Sequence, residues 1–287
     1  MRANLPSRTA TIVSAARYLS GEGVSPIGGD VDGLAPLLAP PHAAGWLSRI
    51  ARLTRSSPMA AKLVRTASGG LVDHAGLRTR YIDGVAREAA AAGIGQMVVV
   101  GAGLDARAYR LEALLHLPLF EVDHPATQGW KRQASSRIHR TGGVRHVSVD
   151  FLVERLGARL VAEGFDAAVP TLWVWEGVTP YLTAEARRST LAEIVALSAQ
   201  GSWLVESYML PALASIPRAL LPLVRAAFGG LGEPLVGGVT TEEIHRELRE
   251  SGWQVKDDAG TMEWVESFAG GDGPSVALLE RVVVCRR

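Results

Sequence analysis

Residues 96–110, Gln-Met-Val-Val-Val-Gly-Ala-Gly-Leu-Asp-Ala-Arg-Ala-Tyr-Arg, constrain the chain more than any other stretch. Residues 97–100 form a short apolar run rich in β-branched side chains, the pattern of a strand buried on both faces. The run stops at Gly101-Ala102-Gly103. Glycine has no Cβ, so the main chain turns tightly there and lets a ligand approach it. A second strand-like run, residues 119–123 (Leu-Phe-Glu-Val-Asp), ends on Asp123, 22 residues past Gly101. Strand, glycine turn, helix, strand, acid is the order in which an α/β sheet holds a nucleoside, the carboxylate taking the ribose hydroxyls. A dinucleotide site adds a third glycine at the sixth position. Here that position is Ala106, followed by Arg107. Alanine does not exclude a dinucleotide there, so the other strand ends decide.

The chain has 287 residues, enough for one elaborated α/β domain, with 47% apolar and 21% charged residues, the balance of a globular protein that buries a large core. A net charge of +1 offers no overall footprint for nucleic acid or an anionic membrane, and neither is expected as a partner. The single cysteine, Cys285, excludes an internal disulfide and a cysteine-spaced metal site, and suits a reducing cytoplasm. No apolar run is long enough to span a bilayer, and the first residues lack the apolar core of a signal peptide. The expected location is cytoplasmic, the expected assembly a monomer or homodimer.

Before the first strand the pattern is helical. Residues 9–19 read as a helix capped by Ser7 or Thr9 and stopped at Gly21, and Pro36, Pro40, Pro41 and Pro58 divide the next stretch into short helices. Residues 1–77 are expected to form a helical lid region, and residues 78–287 the ligand-binding domain. Residues 77–92 read as a stronger helix. Helices are then expected over 106–115, 125–138, 152–163 and from Thr183, and strands over 144–149, 171–175 and 202–206. Residues 207–239, punctuated by four prolines and two Gly-Gly pairs, read as a helical cap insertion. Thr240 and Glu243 form a capping box, and residues 253–256 and 278–284 supply the last two strands. The predicted fold class is α/β: a doubly wound, Rossmann-like seven-stranded sheet.

Ligands of such sheets bind beyond the carboxyl ends of the strands. The residues there are Gly101, Asp123, Asp150, Glu176 and Glu206, four of them acids. One such acid is as readily a helix cap. Several in succession suit a ligand with a ribose, an amino group and a sulfonium: Asp123 for hydroxyls, Asp150 for the adenine amine, Glu176 near the cationic end. S-adenosylmethionine matches this set better than NAD, whose pyrophosphate carboxylates repel.

Gly-Ala-Gly-Leu-Asp-Ala-Arg-Ala-Tyr-Arg-Leu (101–111), Glu-Val-Asp-His-Pro (121–125), Val-Ser-Val-Asp-Phe (147–151) and Pro-Thr-Leu-Trp-Val-Trp-Glu-Gly-Val-Thr-Pro-Tyr-Leu (170–182) resemble the leucine carboxyl methyltransferase family. The resemblance is closer to its bacterial branch of S-adenosylmethionine-dependent methyltransferases, which includes polyketide O-methyltransferases. It covers residues 78–206 with four motifs in order; residues 207–239 match nothing in it. It implies a class I methyltransferase sheet with S-adenosyl-L-methionine as cofactor, and O-methylation in secondary metabolism; no metal site is expected. It implies that the loop of Gly101, Ala102 and Gly103 packs against the methionine part, and that Asp123, with His124 beside it, binds the ribose. Asp150 and the main chain of Phe151 would hold the adenine, and Glu176 the methionine amino group. Arg78 (Arg80 if the register slips) would pair with the methionine carboxylate, for which a planar guanidinium is suited. Where relatives read Trp-Leu-Ala-Glu-Gly, this chain has an added indole, Trp175, which would stack on adenine, narrow the acceptor pocket or belong to the core.

Methyl transfer from a sulfonium is a displacement with an activated leaving group, so alignment and exclusion of water dominate. A carboxylate acceptor needs no base; a phenol benefits from one. The candidate bases are His124 and Tyr181, while His74 and His245 read as surface residues. The acceptor pocket is expected between the first 77 residues and 207–239, both rich in leucine and proline. That favours an apolar or aromatic small molecule, methylated on a carboxylate or hydroxyl. The alternatives are a non-catalytic S-adenosylmethionine-binding protein or an NAD-dependent oxidoreductase.

Overall fold

The computed structural model describes residues 6–26, 32–140, 143–150, 154–211, 238–269 and 279–287. Its centre is a seven-stranded sheet in the order β3-β2-β1-β4-β5-β7-β6. The strands are β1 (Gln96–Val100), β2 (Leu119–Asp123), β3 (Val144–Ser148), β4 (Thr171–Trp175), β5 (Trp203–Met209), β6 (Gln254–Gly260) and β7 (Glu280–Arg286). The first five run parallel, and β7 is antiparallel to both β5 and β6. The chain leaves β1 in one direction, through β2 and β3, and returns on its other side as β4. The order of strands therefore reverses beside β1, which opens a crevice at the carboxyl ends of β1 and β4.

Alternation along the strands divides the core into two layers. Met97, Val99, Leu172, Val174 and Val205 face one side, where helix α5 (Leu71–Ala91) packs through Leu77, Ile82, Val85 and Ala89. Val98, Val100, Trp173, Trp175 and Leu204 face the other, covered by α8 (Leu156–Ala162), α9 (Ala184–Ala196) and α10 (Thr241–Glu250). Trp175 thus belongs to the core: it is fully buried, two residues from Trp173 on the same face. The expected capping box of α10 is present, Thr240 Oγ1 accepting from Glu243 N and Glu243 Oε2 from Thr240 N. Such a cap contributes about 1 kcal/mol.

The N-terminal helices are α1 (Arg8–Leu19), α2 (Ala35–Leu38), α3 (Pro41–Ser56) and α4 (Pro58–Ala67). Ser7 caps α1, and prolines open α3 and α4. α1 ends at Leu19, and the turn that follows, Ser20–Val24, leaves helical geometry at Glu22 and Gly23, close to the stop expected at Gly21. These helices share a small core of Leu19, Val24, Leu47, Ala51 and Val72. Because α5 spans residues 71–91 without a break, this layer is joined to the sheet domain by a continuous helix across residues 77 and 78.

The structure corrects four expectations. The helix expected over 106–115 is only α6 (Arg107–Arg110) and a 3₁₀ turn, Glu112–Leu114. Leu111 is extended between them, and the Arg140 guanidinium takes the carbonyls of Ala108, Leu114 and Leu117. Those contacts replace helical hydrogen bonds. A helix not read in the sequence, α11 (Thr261–Ala269), follows β6. His74 is buried, with Nε2 2.7 Å from Glu280 Oε2 and Nδ1 3.0 Å from Thr261 Oγ1, and His245 is half-buried, 2.6 Å from Asp258 Oδ2. Neither is a surface residue, because each sits on a helix face that a carboxylate from β6 or β7 covers. Of the 207–239 insertion, residues 212–237 lie outside the described residues.

Glu206 is the fourth correction. It lies in the middle of β5 rather than beyond its end, wholly buried, 3.8 Å from the Arg187 guanidinium. Burial pushes its carboxyl up to about 7, against the pull of Arg187. The folded chain therefore holds this proton more tightly than the unfolded chain. The destabilising effect of ionisation is absent below the ordinary value of 4.5 and grows as pH rises through 7. Glu206→Gln is expected to stabilise the fold at pH 8 by about 1–3 kcal/mol more than at pH 5, in urea unfolding. Equal effects at both pH values would exclude titration of Glu206 as the cause.

Candidate cofactor site

The glycine turn sits at the carboxyl end of β1. Gly101 and Gly103 have φ of 71° and 45°, a region that favours glycine. A Cβ on Gly101 would also lie 2.0 Å from Cγ2 of Val178, in the loop after β4, so side chains are excluded on two grounds. The loop is held from below: Lys131 Nζ donates to the Ala102 carbonyl at 3.3 Å and pairs with the buried Glu121 at 2.9 Å.

Asp123 ends β2 beside this turn. Its Oδ2 accepts from Gly103 N at 2.6 Å and its Oδ1 from His124 N at 2.7 Å. Burial raises its carboxyl above the ordinary range, with the two amide bonds opposing that rise. A carboxylate has about four acceptor positions, so two remain for a diol. His124 itself is the N-cap of α7 (Pro125–Ser135), its Nδ1 accepting from Ala126 N at 3.2 Å. An imidazole that accepts at Nδ1 carries its hydrogen on Nε2 when neutral.

Glu176 follows β4 directly and meets Arg78 from α5. Arg78 Nη2 is 2.9 Å from Glu176 Oε1, and its Nη1 donates to Glu280. Arg107 Nη2 donates to the other oxygen of Glu176 at 3.1 Å, and Arg17 from α1 approaches within 3.9 Å. Arg107 is fully buried and also binds Asp83 at 2.9 Å and Asp105 at 2.5 Å. Burial alone would lower the titration of both guanidiniums, but the surrounding carboxylates outweigh it and raise them. Burial alone would raise Glu280, yet Arg78 and His74 hold it at about 2. Arg78 Nε is buried without a hydrogen-bond partner among the described residues, and Glu176 Oε1 is held by its ion pair with Arg78 at 2.9 Å, with Arg17 only within 3.9 Å. A buried carboxylate and a buried guanidinium, each with unused capacity, suit the two ends of a zwitterion.

Asp150 lies just beyond β3, its main-chain N–H bonded to Glu154 Oε2 at 2.9 Å. Tyr181 ends a 3₁₀ turn after Glu176 and is half-buried. Phe151 lies outside the described residues. The structure thus gathers Gly101, Ala102, Gly103, Asp123, His124, Arg78 and Glu176 around one crevice, and detaches Glu206 from it. Sequence reasoning missed Arg17, Asp83, Asp105 and Arg107. Charged residues amid the apolar stretch 102–109 were a signal, but their partners lie 24 and 69 residues away. Among the described residues no three His, Cys, Asp or Glu side chains are grouped as metal ligands.

The site fits a nucleoside bearing an amino acid better than a dinucleotide. The helix after the glycine turn has only four residues, and the Arg107 amide, at its start, is taken by Asp105 Oδ1 at 2.7 Å. A pyrophosphate would lack the helix terminus it needs.

Residues 10–195 match the model of the leucine carboxyl methyltransferase family. A protein of Mycobacteroides abscessus named "Putative S-adenosyl-L-methionine-dependent methyltransferase" is 33% identical over 283 residues, covering 92% of this chain and 87% of its own. Another of the same name and organism is 42% identical over 139 residues, covering 48% of this chain and 45% of its own. In fold, the chain is similar to a DUF574 family protein of Streptomyces avermitilis, with a TM-score of 0.60 at 15% identity and 98% of each chain covered. It is also similar to magnesium protoporphyrin IX methyltransferase of Synechocystis with bound SAH, with a TM-score of 0.50 at 13% identity, covering 76% of this chain and 86% of that one. By the family match over residues 10–195 and the relative that covers 92% of its length, the chain belongs to the leucine carboxyl methyltransferase family of S-adenosylmethionine-dependent methyltransferases.

Proposed function

We propose that the chain methylates an oxygen, carboxylate or hydroxyl, of an apolar or aromatic small molecule. The observation that carries this reading is the crevice where the Gly101–Gly103 turn, Asp123, and the facing Glu176 and Arg78 converge. When bound, S-adenosylmethionine supplies a methyl group already activated on a sulfonium. The two free acceptor positions of Asp123 would take the ribose diol. Glu176 and Arg78 would exchange part of their mutual pairing for the amino and carboxylate ends. Arg107 and Arg17, fixed by Asp105, Asp83 and Asp32, hold the Glu176 carboxylate in place. Asp150, just beyond β3, would take the adenine amine. The N-terminal helices, seated on α5, act as the lid that excludes water.

A carboxylate acceptor, with a reference pKa of about 4, arrives ionised and needs only alignment. The engagement of His124 as a cap supports such an acceptor, since proton uptake at Nδ1 would break the cap. Tyr181 orients the acceptor or, for a phenol, receives its proton. A metabolic role in polyketide tailoring is part of the same proposal.

The test uses the purified chain, methyl-labelled cofactor, and a panel of apolar and aromatic carboxylic acids and phenols. Methylation of a carboxylic acid with a rate independent of pH between about 6 and 9 is expected, since such an acceptor stays ionised throughout. His124→Asn, which retains a good N-cap, should leave that rate within about threefold. Cofactor binding without turnover of any panel member would overturn the small-molecule reading.

A further inference from the structure

The hairpin of α3 and α4 is built unlike the other helices. α4, ten residues long, has none of its side chains buried, although it carries Met59, Leu63 and Val64. α3 buries Leu47, Ala51 and Thr54 against the N-terminal core, and leaves a second apolar stripe outside. Trp46 is 57% exposed and Leu53 55%, with Ile50 half-buried between them; on α4, Met59 is 81% exposed and Leu63 69%. Positions 46, 50 and 53 share one helix face, as do 59 and 63. Four large apolar side chains thus stand in water on two adjacent helices, an arrangement a monomeric surface rarely maintains without use.

The charge of this hairpin is as one-sided as its apolarity. Residues 41–70 contain Arg49, Arg52, Arg55, Lys62 and Arg65, and no acid. The whole chain has thirty basic and twenty-nine acidic residues, so everything outside the hairpin is net negative. Arg55 pairs with Glu22 and Arg65 with Asp73. Arg49, Arg52 and Lys62 are exposed and have no acidic partner among the described residues. Arg49 borders the Trp46–Leu53 stripe, and Lys62 flanks Met59 on the side away from Leu63 in helical projection. The near-zero net charge of the chain conceals this local excess.

We propose that the α3–α4 hairpin docks on an anionic lipid bilayer, with Trp46, Leu53, Met59 and Leu63 entering the headgroup and upper acyl region and Arg49, Arg52 and Lys62 meeting lipid phosphates. Amphipathic helices with aromatic and aliphatic residues beside Lys and Arg bind in the interface plane by these two forces. Among the described residues no helix is long and apolar enough to cross a membrane, so the attachment is one of surface residence. An acidic protein partner would meet the same cations, but four apolar side chains this far out of the surface suit a fluid acyl layer better than an acidic protein face.

The test is co-sedimentation of the intact chain with vesicles of phosphatidylcholine alone and of phosphatidylcholine mixed with phosphatidylglycerol. Binding is expected only to the anionic vesicles, weakened at high salt because exposed charges are screened. Arg49→Glu with Arg52→Glu and Lys62→Glu should lower partitioning by roughly a hundredfold or more. Replacing Trp46, Leu53, Met59 and Leu63 by Ser should abolish it, with unchanged thermal unfolding since these side chains are exposed. Brominated anionic lipid should quench part of the tryptophan emission, and Trp46→Phe should remove that part. Trp46 is the exposed indole, Trp173, Trp175, Trp203, Trp253 and Trp264 being buried and Trp130 half-buried. Absence of binding to anionic vesicles at low salt overturns the proposal. So does a stable dimer in sedimentation velocity that the four serines dissolve, which would make a second copy the occupant, or an acidic protein that the hairpin captures in place of the vesicles.

Discussion

Asp123→Ala is expected to weaken binding of S-adenosylmethionine and S-adenosylhomocysteine at least about a hundredfold in isothermal titration, because two hydrogen bonds to a charged acceptor contribute about 1.5–3 kcal/mol each. The same substitution frees Gly103 N and His124 N, which the carboxylate now holds, so the glycine turn loses its tether as well. Circular dichroism of the unliganded variant separates that local loosening from general unfolding. NADH should give no heat with either protein. Unchanged affinity in a folded variant would remove Asp123 from the cofactor site and with it the argument built on the end of β2.

Arg107→Met is expected to lower the thermal midpoint by roughly 10 °C, equivalent to about 3–5 kcal/mol. Its guanidinium is fully buried among Asp83, Asp105 and Glu176, and methionine matches its bulk without its charge. Three carboxylates would then share Arg78, Arg110 and Arg17, and part of their charge would lie buried without compensation. Adding Asp105→Asn to Arg107→Met should restore part of the loss, since the pair couples through one short contact. A shift within about 2 °C for the single variant would mean that the network relaxes freely and does not hold Glu176 in place.

The elements read in the sequence were those that repeat locally. The short apolar, β-branched runs at 97–100 and 119–123, the glycine turn, the prolines that open α3, α4 and α7, and the Thr240 capping box depend on residues a few positions apart. Those same signals located Gly101, Asp123 and Glu176, because a strand followed by a turn leaves the next residue at the sheet's carboxyl edge. They misjudged the length of α6, because Arg140, about thirty residues on, claims the carbonyls of Ala108 within it and of Leu114 and Leu117 beyond it. They also misjudged Glu206, where β5 runs three residues further than the apolar pattern indicated.

The sequence by itself determined the sheet, its order of motifs and the class of ligand, since periodicity tells which face of an element is buried. The tertiary structure alone decided with which partner each charge is paired. Arg78 meets Glu280 across 202 residues, and His74 meets it across 206. It also decided which apolar stripes find cover: the stripes of α5 and α9 meet the sheet, while α3 and α4 share one face with the N-terminal core and turn the other to solvent. A helical pattern specifies that a stripe exists; only the arrangement of the other elements settles whether protein covers it or water does.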